Sequence, residues 1–193
     1  MAARAGLTPD RIVEATAELA DSAGFDRISV SALARHFGVR DASLYSHVRG
    51  LQDLRERLAV RCAAEFADRL GAALAGRSGR DALAGFATAY RDYAVQHPGR
   101  YAATQFPLAP EITAASPGHR LMIEYTYALF RAYDLAEPDL TDAVRLLRST
   151  LHGFAALEAA AAFRAARSPD ASWPAVLEAL HTTLANWPRH ARA

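Results

Sequence analysis

The chain has 193 residues, of which 51% are hydrophobic, with 22 basic and 21 acidic side chains and a formal net charge of +1. That length and apolar content support a packed core in one or two domains and exclude a disordered chain. No apolar run reaches membrane-spanning length and no basic-then-hydrophobic leader is visible, so a cytoplasmic protein without membrane contact is expected; the single cysteine, Cys62, excludes an internal disulfide and a cysteine-rich zinc site.

Alanine, leucine and arginine dominate and period-two β-branched runs are absent, so the pattern is helical throughout. Thr8-Pro9-Asp10 joins a capping hydroxyl, a first-position proline and a first-turn acid, and Ile12, Thr16, Leu19 and Ala23 form one face before Gly24 stops the helix. Ser29 caps a second, short helix with Val30, Leu33, Ala34 and Phe37 inward, stopped by Gly38. Asp41 opens a third, with Leu44, Tyr45 and Val48 apolar. After Gly50 a long helix carries Leu51, Leu54, Leu58, Cys62, Phe66 and Leu70 at three- and four-residue spacing. Cys62 therefore belongs to a buried stripe as a small hydrophobe.

Gly76 to Gly79 breaks the pattern, and a helix from about Asp81 to Gln96 presents Leu83, Phe86, Tyr90 and Tyr93 before His97-Pro98-Gly99. Pro107, Pro110 and Pro117 predict a loop. Three more helices are expected over about 119–133, 139–166 and 171–187. Ala155, Ala156 and Ala159 to Ala162 let another helix approach closely, and Trp173, Val176, Leu177, Leu180, Leu184 and Trp187 make one broad stripe. Two such helices suit a four-helix dimer bundle. The expected fold is all-α: a small three-helix helix-turn-helix head over 1–50, joined by the long helix to a larger helical body within 51–193.

Charge is uneven along the chain. Between Arg27 and Arg61, seven arginines face Asp41, Asp53 and Glu56, a surplus of +4 that suits a phosphate-binding face. Two short helices joined by a glycine turn can set the second one in a DNA major groove.

Thr8-Pro9, Gly24-Phe25, Ser29, Leu33-Ala34, Gly38-Val39, Ser43-Leu44-Tyr45, His47-Val48 and Leu54 form one long ordered pattern. From Thr8 to about Leu58 it resembles the N-terminal domain of the TetR family of transcriptional repressors. His97 to Tyr101 and Leu151-His152-Gly153 resemble one C-terminal subtype of that family, with a Trp- or Leu-His-Gly segment. Ser29 and Ser31 would then meet phosphate at the start of the second helix. Arg40, Asp41, Ala42 and Ser43 would point at base edges: Arg40 at guanine, Ala42 at a thymine methyl, Ser43 at any of several bases. Tyr45, Ser46 and His47 match family positions that grip the backbone; packing within the head is the competing role for Tyr45, and capping or packing for His47. Leu51 stands where many members carry a lysine, so Arg49 is the candidate replacement contact. Arg40 stands where a small hydroxyl cap is usual, which leaves Asp41 either to cap or to read cytosine.

In the body, Phe86, Tyr90, Tyr93, Tyr101, Phe106, Met122, Tyr125, Phe130, Phe154 and Phe163 could line a cavity, with His152 and Glu158 as polar fixtures, although aromatics at helical spacing also make plain core. Such a cavity implies a small, largely apolar effector. No nucleophile elbow, phosphate-cradling glycine loop or His-Glu-x-x-His pair is present, so an enzyme, a metal ion or a cofactor is not expected. The reading is a ligand-responsive repressor that binds a palindromic double-stranded DNA operator as a homodimer formed through its last two helices. The alternative is a small-molecule binding or carrier protein with a degenerate head.

Overall fold

The computed structural model describes residues 7–188. Among them the helices are α1 (Pro9–Ala23), α2 (Val30–Phe37), α3 (Asp41–Leu44), α4 (Leu51–Leu74), α5 (Gly79–Gln96), α6 (Pro98–Thr104), α7 (Pro110–Ala115), α8 (Pro117–Phe130), α9 (Asp139–Ala159) and α10 (Pro169–Ala185), with 3-10 turns at Phe25–Arg27 and Arg131–Tyr133 and no strand. The all-α class is as expected. Two compact units form, Met1–Glu65 with His97–His119, and Phe66–Gln96 with Arg120–Ala193. Beyond residues 1–50, the first unit thus holds the opening part of α4 and a returning segment.

Local chemistry sets the first three helices. Thr8 accepts the Arg11 amide at 3.3 Å, Pro9 occupies the first position, and the Gly24 amide donates to Ala20 O at 2.9 Å. Ser29 accepts the Ala32 amide at 3.1 Å. Gly38, at φ 65°, turns the chain left-handed, and the Val39 amide closes on Ala34 O at 3.0 Å. The third helix is shorter than Leu44, Tyr45 and Val48 predict. The amides of His47 and Val48 both fold onto Leu44 O, at 2.9 and 3.0 Å, so the helix tightens into a turn after one revolution. Inside this unit Ile12, Ala20, Ile28, Leu33, Leu44, Val48, Leu54, Leu58, Cys62 and Ala103 pack as one cluster. Cys62 is buried, as its place on the stripe implies.

The proline-rich stretch corrects the loop expectation. Pro98, Pro110 and Pro117 each open a helix, because a fixed φ and a missing N–H cost nothing at the first helical position. α6 packs against α1 with no room for a side chain at Gly99, whose Cβ would collide with the Ala20 carbonyl. Asp21 accepts the Arg100 amide at 2.8 Å and forms an ion pair with the Arg100 guanidinium at 2.9 Å, and Arg100 also pairs with Glu65 at 3.2 Å.

In the second unit α9 and α10 pack on α5. The helix expected over 119–133 starts at Pro117 and finishes as the 3-10 turn at Arg131–Tyr133. α9 ends at Ala159 instead of about Ala166. Alanine propensity favours continuing, but Ala161 turns left-handed at φ 50° and the Ala162 amide closes on Leu157 O at 2.8 Å. α10 starts at Pro169, capped by Ser168, and stops at Ala185, leaving Trp187 beyond its end.

Candidate nucleic-acid interface

α2 and α3 hold the candidate DNA-contacting residues on one small scaffold. Leu33, Ala34, Leu44 and Val48 are buried in it, while Ser31, Arg40, Asp41, Ala42, Ser43, Tyr45, Ser46 and Arg49 are exposed. Tyr45 is 57% exposed, so more than half of its surface is left uncovered by the head. His47 is half-buried, and its amide, not its ring, is what closes the turn on Leu44.

The hydroxyls are not equivalent. Ser29 Oγ accepts from Ala32, so its proton is available to a phosphate. Ser46 Oγ donates to Ser43 O at 2.8 Å, and Ser31 Oγ donates to Asp41 Oδ2 at 2.6 Å. Asp41 does not cap α3: Arg40 sits at the cap position, with no side-chain hydrogen bond there. At the start of α4, Asp53 accepts the Arg49 amide at 2.9 Å and Arg57 Nε at 3.1 Å. Burial pushes the Asp53 carboxyl up, but the Arg49 amide and the Arg57 guanidinium outweigh it and hold it below the usual carboxylate range. The Arg49 side chain, 88% exposed and 4.0 Å from Asp53, remains at the surface where a phosphate contact needs it.

The proposed body residues separate. Tyr101 and Phe106 lie in the first unit, where Phe106 packs on Phe25 with centroids 5.6 Å apart. Phe86, Tyr90, Tyr93, Met122, Tyr125, Phe130, His152, Phe154, Glu158 and Phe163 lie in the second. There Phe66 stacks on Tyr93 at 4.8 Å and meets Tyr90 edge-on at 5.1 Å, and the Tyr125 ring covers Gly71. His152 is exposed.

Glu158 is engaged by a residue that sequence reasoning missed. Arg91, on α5, donates through Nε to Glu158 at 2.6 Å and through Nη2 to Asp170 at 2.6 Å. Its guanidinium lies over Phe154 and Trp173, 5.6 and 5.3 Å from the ring centroids. The hydrogen bond to Glu158 outweighs burial and raises the Arg91 pKa, so the guanidinium stays charged. The only sequence signal was an arginine on the apolar side of a helix, beside Tyr90 and Tyr93. Among the described residues no helix is long and apolar enough to cross a membrane. No group of three or more His, Cys, Asp or Glu there could hold a metal ion.

Residues 12–58 match the family model for bacterial regulatory proteins of the tetR family, and residues 83–180 the model for the tetracyclin repressor-like C-terminal domain. The chain is 37% identical over 169 residues to the uncharacterized HTH-type transcriptional regulator YobS of Bacillus subtilis (strain 168), spanning 84% of this chain and 85% of that one. A solved protein of unknown function from Rhodococcus sp. RHA1 shares the fold at a TM-score of 0.75 and 24% identity, with 96% of this chain and all 100% of that one covered. A TetR variant from Acinetobacter baumannii AYE, in complex with minocycline, shares it at 0.71 and 19% identity, over 96% and 100%.

Proposed function

Because this chain belongs to the TetR family of bacterial regulatory proteins, we propose that it is a repressor that binds a palindromic operator as a homodimer and is released by a small, largely apolar effector. A transcriptional regulator with an N-terminal DNA-binding domain is what the family supplies; the finer terms are read from this chain. The observation that carries the operator reading is the α2–α3 scaffold, with Arg40, Ala42, Ser43 and Tyr45 exposed around a buried Leu44. An arginine, a methyl, a hydroxyl and a phenol on one turn suit guanine, thymine and phosphate.

Dimerisation through α9 and α10 is supported by their outward residues. Ala156, Leu157 and Ala159 on α9 and Ala175, Ala179 and Thr182 on α10 are exposed, and a side chain at Gly153 would meet open space. Small residues allow close helix approach, and Leu157, 48% exposed, is an apolar group in need of cover. Two heads related by a twofold axis would read half-sites about 34–36 Å apart.

The effector reading rests on the aromatic and methionine side chains of the second unit, Phe86, Tyr90, Tyr93, Met122, Tyr125, Phe130 and Phe154. That one protein of similar fold, 19% identical, is in complex with minocycline supports this reading. Glu158 is assigned to the Arg91 ion pair and not to the ligand. The effector must favour the DNA-incompetent state, and a coupling of about 1–3 kcal/mol changes affinity about 5- to 150-fold.

The test is fluorescence anisotropy on duplexes flanking the coding region, with random competitor, at about 0.15 M salt. Competitor-resistant binding at two protomers or a multiple per duplex is expected, lost when Arg40→Ala and Tyr45→Ala are combined. Equal, weak binding to every duplex recovered from a random library would overturn the regulator. A panel of apolar aromatic compounds that never weakens operator binding would overturn induction alone.

A further inference from the structure

The 2.6 Å bond from Ser31 Oγ to Asp41 Oδ2 joins the first turn of α2 to the first turn of α3. A hydroxyl has one proton to donate, and a phosphate oxygen can only accept. With that proton on Asp41, Ser31 has none for the DNA backbone, unlike Ser29, whose oxygen is the acceptor. Asp41, for its part, does not cap α3. One of its oxygens is fixed by Ser31, and Oδ1 stands on an exposed turn between Arg40 and Ala42.

From this pairing we infer that Asp41, held by Ser31, is a specificity-determining residue that selects a cytosine in each half-site through the base's N4 amino group. The assignment rests on the regulator reading above. A carboxylate is an acceptor only. In the major groove guanine presents N7 and O6 and thymine presents O4, all acceptors that repel it. Adenine offers the N6 amino group, but with the N7 acceptor beside it. Cytosine alone presents a donor without an adjacent acceptor. Because Ser31 sets the carboxylate before DNA arrives, little side-chain ordering remains to oppose the contact. The same negative charge repels phosphate, so Asp41 also lowers affinity for unrelated DNA.

The experiment is selection from a randomised duplex library by the full chain, its Asp41→Asn variant and its Ser31→Ala variant, each matched to the parent by thermal melt. The parent should retrieve a cytosine at one position of each half-site, whose replacement weakens binding about tenfold. Asp41→Asn should move that preference to adenine, whose N6 and N7 match an amide, and should bind random duplex more tightly. Ser31→Ala should weaken the cytosine preference with random-duplex affinity unchanged; an equal loss on all sequences would mark a phosphate contact and overturn the pairing. A cytosine that persists in Asp41→Asn overturns the assignment alone. A parent that retrieves no preferred sequence overturns the regulator reading and this assignment with it.

Discussion

Ala161 holds a backbone conformation that L side chains adopt at a cost of about 1–2 kcal/mol, and it does so on the exposed surface. Glycine carries no such penalty but loses more freedom on folding. Ala161→Gly is therefore expected to stabilise the chain by about 0.5–1 kcal/mol, read as a higher urea midpoint at unchanged slope. His119 acts in the opposite sense. Burial lowers its pKa below 6.5, and Ser116 Oγ lies 2.8 Å from its Nδ1. The unfolded chain takes up the proton first, so this contribution is whole above pH 6.5 and is lost as pH falls below it. The melting temperature should drop as pH falls from 7 through 6.5 and below, and by less in His119→Gln; an imidazole resonance titrating at or above 6.5 would contradict the assignment.

Among elements, the contacts that sequence does not announce join helices far apart in the chain. Arg91 ties α5 to the end of α9 and the start of α10 from positions 67 and 79 residues away. Arg91→Ala strands Glu158 half-buried without its cation, and a loss of about 3–5 kcal/mol is expected in a denaturation curve. Arg91→Lys should recover only part of it, since one ammonium cannot span both carboxylates and both rings. Gly99→Ala forces α6 off α1, with an expected cost of about 1–3 kcal/mol. The sequence revealed what is decided within a turn or two. Thr8, Ser29 and Gly38 sit at helix ends because a side-chain oxygen or a positive φ is needed there, and each was readable. α6 and α7 were not, since a proline that opens a helix and one that interrupts a loop look alike until the following residues pack. The Phe25–Phe106 contact was hidden for a simpler reason: no periodicity links residues so far apart. Asp41 was legible as a candidate, but its bond to Ser31, ten residues earlier, was not.

For the whole molecule, a net charge of +1 makes the +4 surplus of the Arg27–Arg61 window the proposed source of attraction to DNA. Affinity should then fall with salt on a slope set by few phosphates, about −0.9 per contact. Arg49→Ala should flatten that slope by about one such contact without changing the base preference, whereas Arg40→Ala should do the reverse; measured slopes and selected sequences separate the two. Legibility at this scale was uneven. The all-α class followed from composition, while membership of the returning segment 97–119 in the first unit depends on tertiary packing that no window of sequence reports. One property visible at both levels has a practical use. Cys62, the only sulfhydryl in the chain, is shut inside the first unit. A cysteine placed at the exposed Ser22 would be the sole reactive handle, so a spin label there would attach at one site per protomer with no native thiol to remove. In the proposed homodimer, that pair of labels becomes a ruler for the spacing of the heads, to be read with and without effector.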